Sequence, residues 1–548
     1  NREYPEIDTA IKKTYIDNST AQKTKVYDMY ARFFRWASSR LSENGILTFV
    51  TNSSFLEART FDGFRKVVAE EFSHIYVVDL GGDVRKNPKL SGTKNNVFGI
   101  QTGVAISFMV KRQDATSCKI SYVRRPEMEI ADDKLAFLRT SKFKEIDFDK
   151  IMPDKNHNWL NIADNDFDDL LPLANKETKL AKSQKEEQAV FKLFINGVVT
   201  ARDEWVYDFN KKSLSEKIKF FSKVYNSELD KLELKYDDIA QLISYEIKWS
   251  EGLKSNLMAG KTETYSQDKI IKAFYKPYNT KYYYLEPLFS DRLTESHFSF
   301  FPRRKSQTNQ VILFNIGSSK FKCVATGKLY EFGSMLEGGG QTVGVASNRY
   351  DKQGNRTENI TNWGLNQFST HYQDNTITKE DIFHYTYAVL HNPAYREKYA
   401  LNLKREFPRL PFYDDFHQWV TWGKQLMELH INYETVKKYP LKRIEKKLPA
   451  NAENKPKLKA DKDAGKIYID AITTLQGVPS EAWAYKLGNR SALEWILDQY
   501  KEKKPRDPTI AEKFNNYRFA DYKEQVIELL QRVCTVSVET MGIVGEMS

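Results

Sequence analysis

Between Lys25 and Arg112 the hydrophobic pattern alternates between helical and strand-like periods. It predicts a helix over Lys25–Leu41, a strand over Gly45–Thr51, a helix over Phe61–Phe72, a strand over Ile75–Leu80 and, beyond a loop, a last strand over Gly103–Arg112. Strands alternating with helices specify a wound α/β sheet, which holds its ligand at the carboxyl ends of its strands. Tyr27, Tyr30, Phe34 and Leu41 fall on one helix face and would cover the sheet. The run Ile46-Leu47-Thr48-Phe49-Val50 is nearly all apolar, as in a buried parallel strand. Thr60 is the expected N-cap of the second helix, and Gly81-Gly82 should end the strand before it. Asn95–Arg112 reads as a returning edge strand.

Length sets the scale of the remainder. A chain of 548 residues has room for roughly three or four domains. Residues 131–270 read as charged and mostly helical, 271–375 as β-rich and aromatic, and 376–548 as mostly helical again. Asn196-Gly197 suggests a hairpin turn, and the lysine-rich Pro449–Lys466 an exposed loop. The net charge of +11 directs attention to a polyanionic partner. Cys118, Cys323 and Cys534 are too scattered for a metal site or a disulfide framework, which fits a reducing, cytoplasmic setting. No apolar run approaches the roughly 18 residues of a membrane span, so no membrane partner is expected.

Four basic clusters interleaved with aromatics are candidate phosphate contacts: Lys276; Arg303, Arg304 and Lys305; Arg396 through Lys404 and Arg405; and Lys437–Lys447 with Lys442 and Arg443. Each alone could be a solvated face. Arg202 has the chemistry to read a guanine edge, or to pair locally with Asp203 and Glu204. Thr51 and Asn52 stand where a strand meets the ligand cleft, although small polar residues there also cap the next element, the reading we favour. His384 and His391 are seven apart on a helix with no Cys or carboxylate partner at metal spacing, so no metal is expected. Gly338–Gly340 lacks the Lys-Ser/Thr of a phosphate loop.

Several long segments resemble the single-chain Type ISP restriction–modification enzymes: Thr20–Ala37, Arg59–Arg65, Gly81–Arg85 with the Asn95–Val104 loop, Asp381–Tyr385 to Pro408–Pro411, and Tyr485–Trp495. The resemblance implies a parent protein of bacterial phage defence. It would carry a nuclease, an ATP-driven, Mg-dependent motor, an adenine-N6 DNA methyltransferase using S-adenosylmethionine, and a target recognition domain. Residues 1–130 would be the second half of the methyltransferase core, a partial Rossmann-like sheet. Residues 131–548 would form a large α+β recognition domain for double-stranded DNA. Tyr27, Thr51 and Asn52 would lie in the vicinity of the cofactor pocket. Phe98 matches the aromatic position that packs against a flipped base; on pattern alone, a Phe before a Gly is more often core. An enzyme acting on a base must hold it, once extruded, against such an apolar wall.

Two motifs of the family do not occur in this sequence: the Asn-Pro-Pro-Tyr tetrad and the glycine-rich cofactor loop. The chain also opens at Asn1 with no initiator Met. The expectation is therefore a fragment that binds no cofactor and does not methylate alone, its catalytic residues lying in the missing half. The strand at 46–51 would pair with a strand outside this sequence, and its bare edge predicts low solubility. A standalone specificity module working with a partner methyltransferase chain is the alternative, and a degraded defence gene product a third reading.

Overall fold

The computed structural model describes residues 3–19, 26–84, 90, 94–160, 165–229, 243–302, 308–318, 320–337, 340–448 and 453–547. They form two compact units, residues 1–164 and 165–548. None of the described helices is long and apolar enough to cross a membrane.

The first unit is built on a five-stranded mixed sheet. In chain order its elements are α1 (Pro5–Ile11), α2 (Met29–Ser38), β1 (Gly45–Asn52), α3 (Asp62–Glu71), β2 (His74–Gly81), β3 (Val104–Lys111), β4 (Lys119–Arg124), α4 (Ala131–Thr140) and β5 (Asp149–Ile151). The strand order is β1-β3-β2-β4-β5. β3 runs antiparallel to both β1 and β2, whereas β2 and β4 are parallel.

This order corrects two expectations. β3 is an inner strand, not an edge. β1 is antiparallel to its neighbour and, among the described residues, is the edge strand, with Ile46 66% and Val50 50% exposed. Its apolar run covers both faces, yet only Leu47 is buried. Thr60 is also not the cap of α3: it sits in a 3-10 turn, Arg59–Phe61, and Phe61 holds the N-cap position.

Phe34, Phe55, Phe61 and Phe64 interlock at ring separations of 5.2–5.9 Å and pin α2 and α3 to the sheet. Burial of each ring contributes roughly 1.5–3 kcal/mol. The fully buried Arg65 donates to the carbonyls of Phe55, Ala58 and His157 and to Asn158 Oδ1. These four donations from one planar fork fasten α3 to residues 157–158. Residues 131–160, which the sequence blocks assign to the recognition region, thus add α4, β5 and the core residue Trp159 to this unit.

The second unit contains a four-stranded sheet of Cys323–Thr326, Val311–Ile316, Gln341–Ala346 and Ile195–Asn196, in that order. All six residues of Val311–Ile316 are buried, as a central strand covered on both faces requires. Asn196-Gly197 makes no hairpin: Ile195–Asn196 pairs with Val343 and Gly344, and a Cβ on Gly197 would lie 2.5 Å from the Glu331 backbone. Helices Lys379–Val389 and Phe416–Ile431 pack closely, because Gly423 lets the His384 carbonyl approach to where a Cβ would meet it at 1.8 Å. Within the region read as mostly helical, where the sequence predicts one short strand over Lys466–Ile472, stands another antiparallel sheet: Lys442–Glu445, Thr473–Gln476, Lys466–Asp470 and Pro456–Asp461. Pro456–Asp461 is therefore a strand and not part of an exposed loop. Leu458 turns inward while Lys457 and Lys459 are exposed, at a bulge where the register with Lys466–Asp470 shifts.

Candidate functional site

At one end of the first sheet the carboxyl ends of β1 and β2 meet the start of β3, since Asn52 and Gly81 both pair with Val104. Gly81 and Gly82 have φ of 59° and 75°, which turns the chain sharply away from β2. The loop before β3 is then clamped by two asparagines. Asn96 Nδ2 donates to the carbonyls of Thr102 at 2.7 Å and Gly82 at 3.3 Å, while its Oδ1 accepts from the Phe98 amide at 2.9 Å. Asn95 Nδ2 donates to the Met128 and Glu129 carbonyls. The buried Lys134 of α4 donates to the Asn95 carbonyl at 2.6 Å. Burial pulls the Lys134 ammonium below its ordinary range, partly offset by Glu129 and Glu127.

The clamped loop presents an aromatic ring to solvent. Phe98 is 63% exposed, with Ile100 exposed beside it. Folding does not hide this residue, contrary to what its pattern alone suggests.

Thr51 and Asn52 line an open cavity of about 700 Å³ with Asp28, Tyr30, Phe33 and Thr60. Asn52 Oδ1 accepts from the Ser54 amide and hydroxyl, so this side chain caps the turn that follows β1. Tyr30 stacks on Phe61 at 5.5 Å, and burial pushes its phenol above the usual range. Tyr27 does not line this cavity; its half-buried ring lies 6.0 Å from the Arg32 guanidinium. Met29, Phe33 and Trp36 on α2, with Ile46 and Val50 on β1, are large exposed apolar side chains.

In the second unit several sequence candidates for phosphate contact serve the interior. Arg202 is buried: Nη1 donates to the Phe289 carbonyl at 2.7 Å, Nε to the Lys248 carbonyl at 3.1 Å, and Nη2 to Asp291 at 3.0 Å. Its guanidinium is thus engaged in the interior, and its ion pair is with Asp291 instead of Asp203 or Glu204. Lys276 donates to the Gly333 carbonyl and pairs with Glu331 at 3.3 Å, so it braces the fold. Arg396 donates to the Leu390 carbonyl at 2.6 Å beneath the Phe321 ring. Arg443 is exposed, but its fork is held by both oxygens of Glu524 at 2.7 and 3.0 Å and by Glu445. These hydrogen bonds raise its pKa further. Lys404 is exposed and Arg405 half-buried. Arg303, Arg304 and Lys305 lie outside the described residues.

Several exposed basic groups lie on or beside the small sheet. Lys442, Lys446, Lys447, Lys457 and Lys459 are exposed, and among the described residues none of them forms an ion pair. Sequence reasoning found Lys442 but passed over Lys457 and Lys459, because a lysine-proline run resembles a loop. The alternation Lys457-Leu458-Lys459 was the available signal. Among the described residues, no group of three or more His, Cys, Asp or Glu is placed to hold a metal.

Residues 189–529 match the family described as the Type ISP C-terminal specificity domain, and residues 3–85 match the Eco57I restriction-modification methylase family. A cryoEM structure of a DrdV–DNA complex shares 46% identity with the whole of this chain, at a TM-score of 0.89. The chain belongs to the Type ISP restriction–modification family. Two further Type ISP enzymes are similar over the whole chain. A nuclease-deletion mutant of LlaGI, in complex with a DNA substrate mimic, shares 30% identity with a TM-score of 0.82. The ATP-dependent enzyme LlaBIII, bound to DNA, shares 25% with a TM-score of 0.83. The chain spans 55%, 50% and 36% of the DrdV, LlaGI and LlaBIII chains. No curated protein matches it significantly. The fold is that of a methylase part followed by a Type ISP specificity domain. The methylase family uses S-adenosylmethionine, and Type ISP enzymes use ATP.

Proposed function

We propose that this chain is the DNA-reading and half-methyltransferase portion of a Type ISP enzyme that methylates adenine N6 within a specific duplex site. The observation that carries this reading is Phe98: a solvent-exposed ring, held by the Asn96 clamp at the ligand edge of a methylase-type sheet. An exposed aromatic on a fixed turn meets an extruded base without the entropic cost of ordering the loop. Double-stranded DNA is the partner, gripped through the second unit, whose family is a specificity domain. The exposed lysines of its small sheet meet phosphates and set affinity instead of sequence.

The remaining methyltransferase half is the second partner. The apolar side chains on α2 and the open edge of β1 are where an adjoining strand and its cover would pack. S-adenosylmethionine supplies the methyl group. Within this chain Thr51, Asn52 and Tyr30 fit one side of a pocket for it, being polar groups around a roomy cavity at a strand's carboxyl end. ATP and Mg serve the motor and nuclease of the whole enzyme. The chain alone binds DNA and transfers no methyl group.

The test is Phe98→Ala in the full enzyme. Because the ring is mostly exposed, the melting temperature should move little while methylation falls at least about tenfold. Equal methylation by variant and parent would remove Phe98 from the base pocket.

A further inference from the structure

A cavity of about 440 Å³ in the second unit is bordered by Lys320 and Phe321, by the helix Pro393–Lys398, by Tyr485 and Lys486, and by Met541 and Val544 of the C-terminal helix. Two side chains on its wall, the half-buried Arg396 and the buried His391, each have a buried atom with unused hydrogen-bonding capacity. Arg396 uses Nε on the Leu390 carbonyl, but its Nη2 is buried with no partner. Among the described residues no carboxylate pairs with this guanidinium; its near neighbours are Cys323 and the phenols of Tyr387, Tyr395 and Tyr485. His391 is 3% exposed. Its Nδ1 lies 2.8 Å from the Tyr387 carbonyl, which requires the proton on Nδ1 and leaves Nε2 as an acceptor. Nε2 too is buried without a partner.

The surroundings keep that assignment. Burial first, then the charge of Arg396, hold His391 well below the ordinary imidazole range, so the ring is neutral. A buried guanidinium donor without an acceptor and a buried acceptor without a donor are both costly, and native interiors rarely tolerate either. At the mouth, Lys320 and Lys486 are exposed and outweigh the single carboxylate of Glu397. The cavity thus asks for an anion that also brings one proton.

We propose that this cavity binds a phosphate retaining one P–OH group, either hydrogen phosphate or a phosphomonoester. The phosphoryl oxygens accept from Arg396, with Lys320 and Lys486 adding charge, and the P–OH donates to His391 Nε2. Sulfate has the same shape and charge but no proton to donate, and a DNA phosphodiester likewise offers acceptors only. The site is therefore distinct in chemistry from the lysine surface that meets the duplex backbone, and it does not depend on the function proposed above.

Titration calorimetry of the chain with inorganic phosphate, and with sulfate at equal pH and ionic strength, reads the proposal directly. Phosphate should bind saturably at one site, and sulfate at least about tenfold more weakly, because a buried acceptor left unpaired rejects the ligand that cannot donate to it. Lys320→Ala with Lys486→Ala, both on exposed positions that leave the fold intact, should weaken phosphate several-fold. Arg396→Met should abolish binding; should that variant fail to fold, the anion comparison in the parent chain still decides. A deoxynucleoside monophosphate in place of phosphate separates the sources. Binding of both points to a phosphomonoester end, and binding of phosphate alone to the free anion. Absence of saturable binding by either, or equal affinity for phosphate and sulfate, would overturn the assignment.

Discussion

Lys134 Nζ donates to the main-chain carbonyl of Asn95 at 2.6 Å, joining a buried helical cation to the loop that displays Phe98. The lysine is fully buried, and the bond aims the loop instead of merely closing it. Lys134→Met keeps the apolar stem and leaves the carbonyl unpaired, at a cost of about 1–3 kcal/mol. We expect a lower melting temperature in the chain. In the full enzyme we expect a further loss of methylation at temperatures where the variant is folded. A variant with unchanged stability would show that the clamp rests on the asparagines alone.

Arg202 separates a structural role from a DNA role. Its fork ties two segments, residues 248–250 and 289–291, to its own. Arg202→Met should destabilise the second unit by about 3 kcal/mol, the usual consequence of breaking a buried pair. Duplex affinity of the folded fraction should stay unchanged. Weaker DNA binding with unaltered stability would reverse that assignment.

The small sheet makes the opposite prediction. Replacing Lys457 and Lys459 by Ala should leave thermal unfolding as it is, since both side chains are exposed. The slope of log affinity against log salt should flatten by about one unit for each phosphate that is no longer neutralised. An identical slope in the double variant would place the phosphate surface elsewhere.

Stability should fall as pH drops below the ordinary histidine value. His430 is buried between Tyr387 and Thr540, and burial, then the charge of Arg396, bring its pKa down to about 3. His391, His384 and His297 are also depressed, each by burial first. These groups stay neutral in the folded state while the unfolded chain takes up protons, so the folded state loses stability on acidification and not on raising the pH. His430 alone contributes a slope of about 1.4 kcal/mol per pH unit between roughly pH 6.5 and pH 3. Urea unfolding at stepped pH would show it; a flat profile between pH 6.5 and 5 would contradict it.

The helices α2 and α3 and the strands β1, β2 and β3 of the first unit were legible because each is a local pattern, whereas α1, β4, α4 and β5 were not singled out. Strands near Gly45–Asn52, His74–Gly81 and Val104–Lys111 follow from apolar runs bounded by turn residues. Their order was not, because β3 inserts between β1 and β2 as an antiparallel strand and no local signal states which strand is its neighbour. The exposure of Phe98 follows from Asn96 reaching Gly82, 14 residues away, and so lay beyond its own neighbourhood. Arg202 misled for the same reason. Its nearest acids in sequence are Asp203 and Glu204, but its partner is Asp291, 89 residues on. Likewise, a cluster such as Lys437–Lys447 cannot reveal that Glu524 occupies the fork of Arg443 until the C-terminal helix is in place.

The most direct test of DNA reading by this chain is selection from a randomised duplex pool at near-physiological salt, followed by sequencing of the bound fraction. An enriched short motif is expected, since a specificity-domain family spans residues 189–529. Recovery of unenriched DNA, with affinity collapsing as salt rises, would reduce the chain to a phosphate-binding surface and contradict the account.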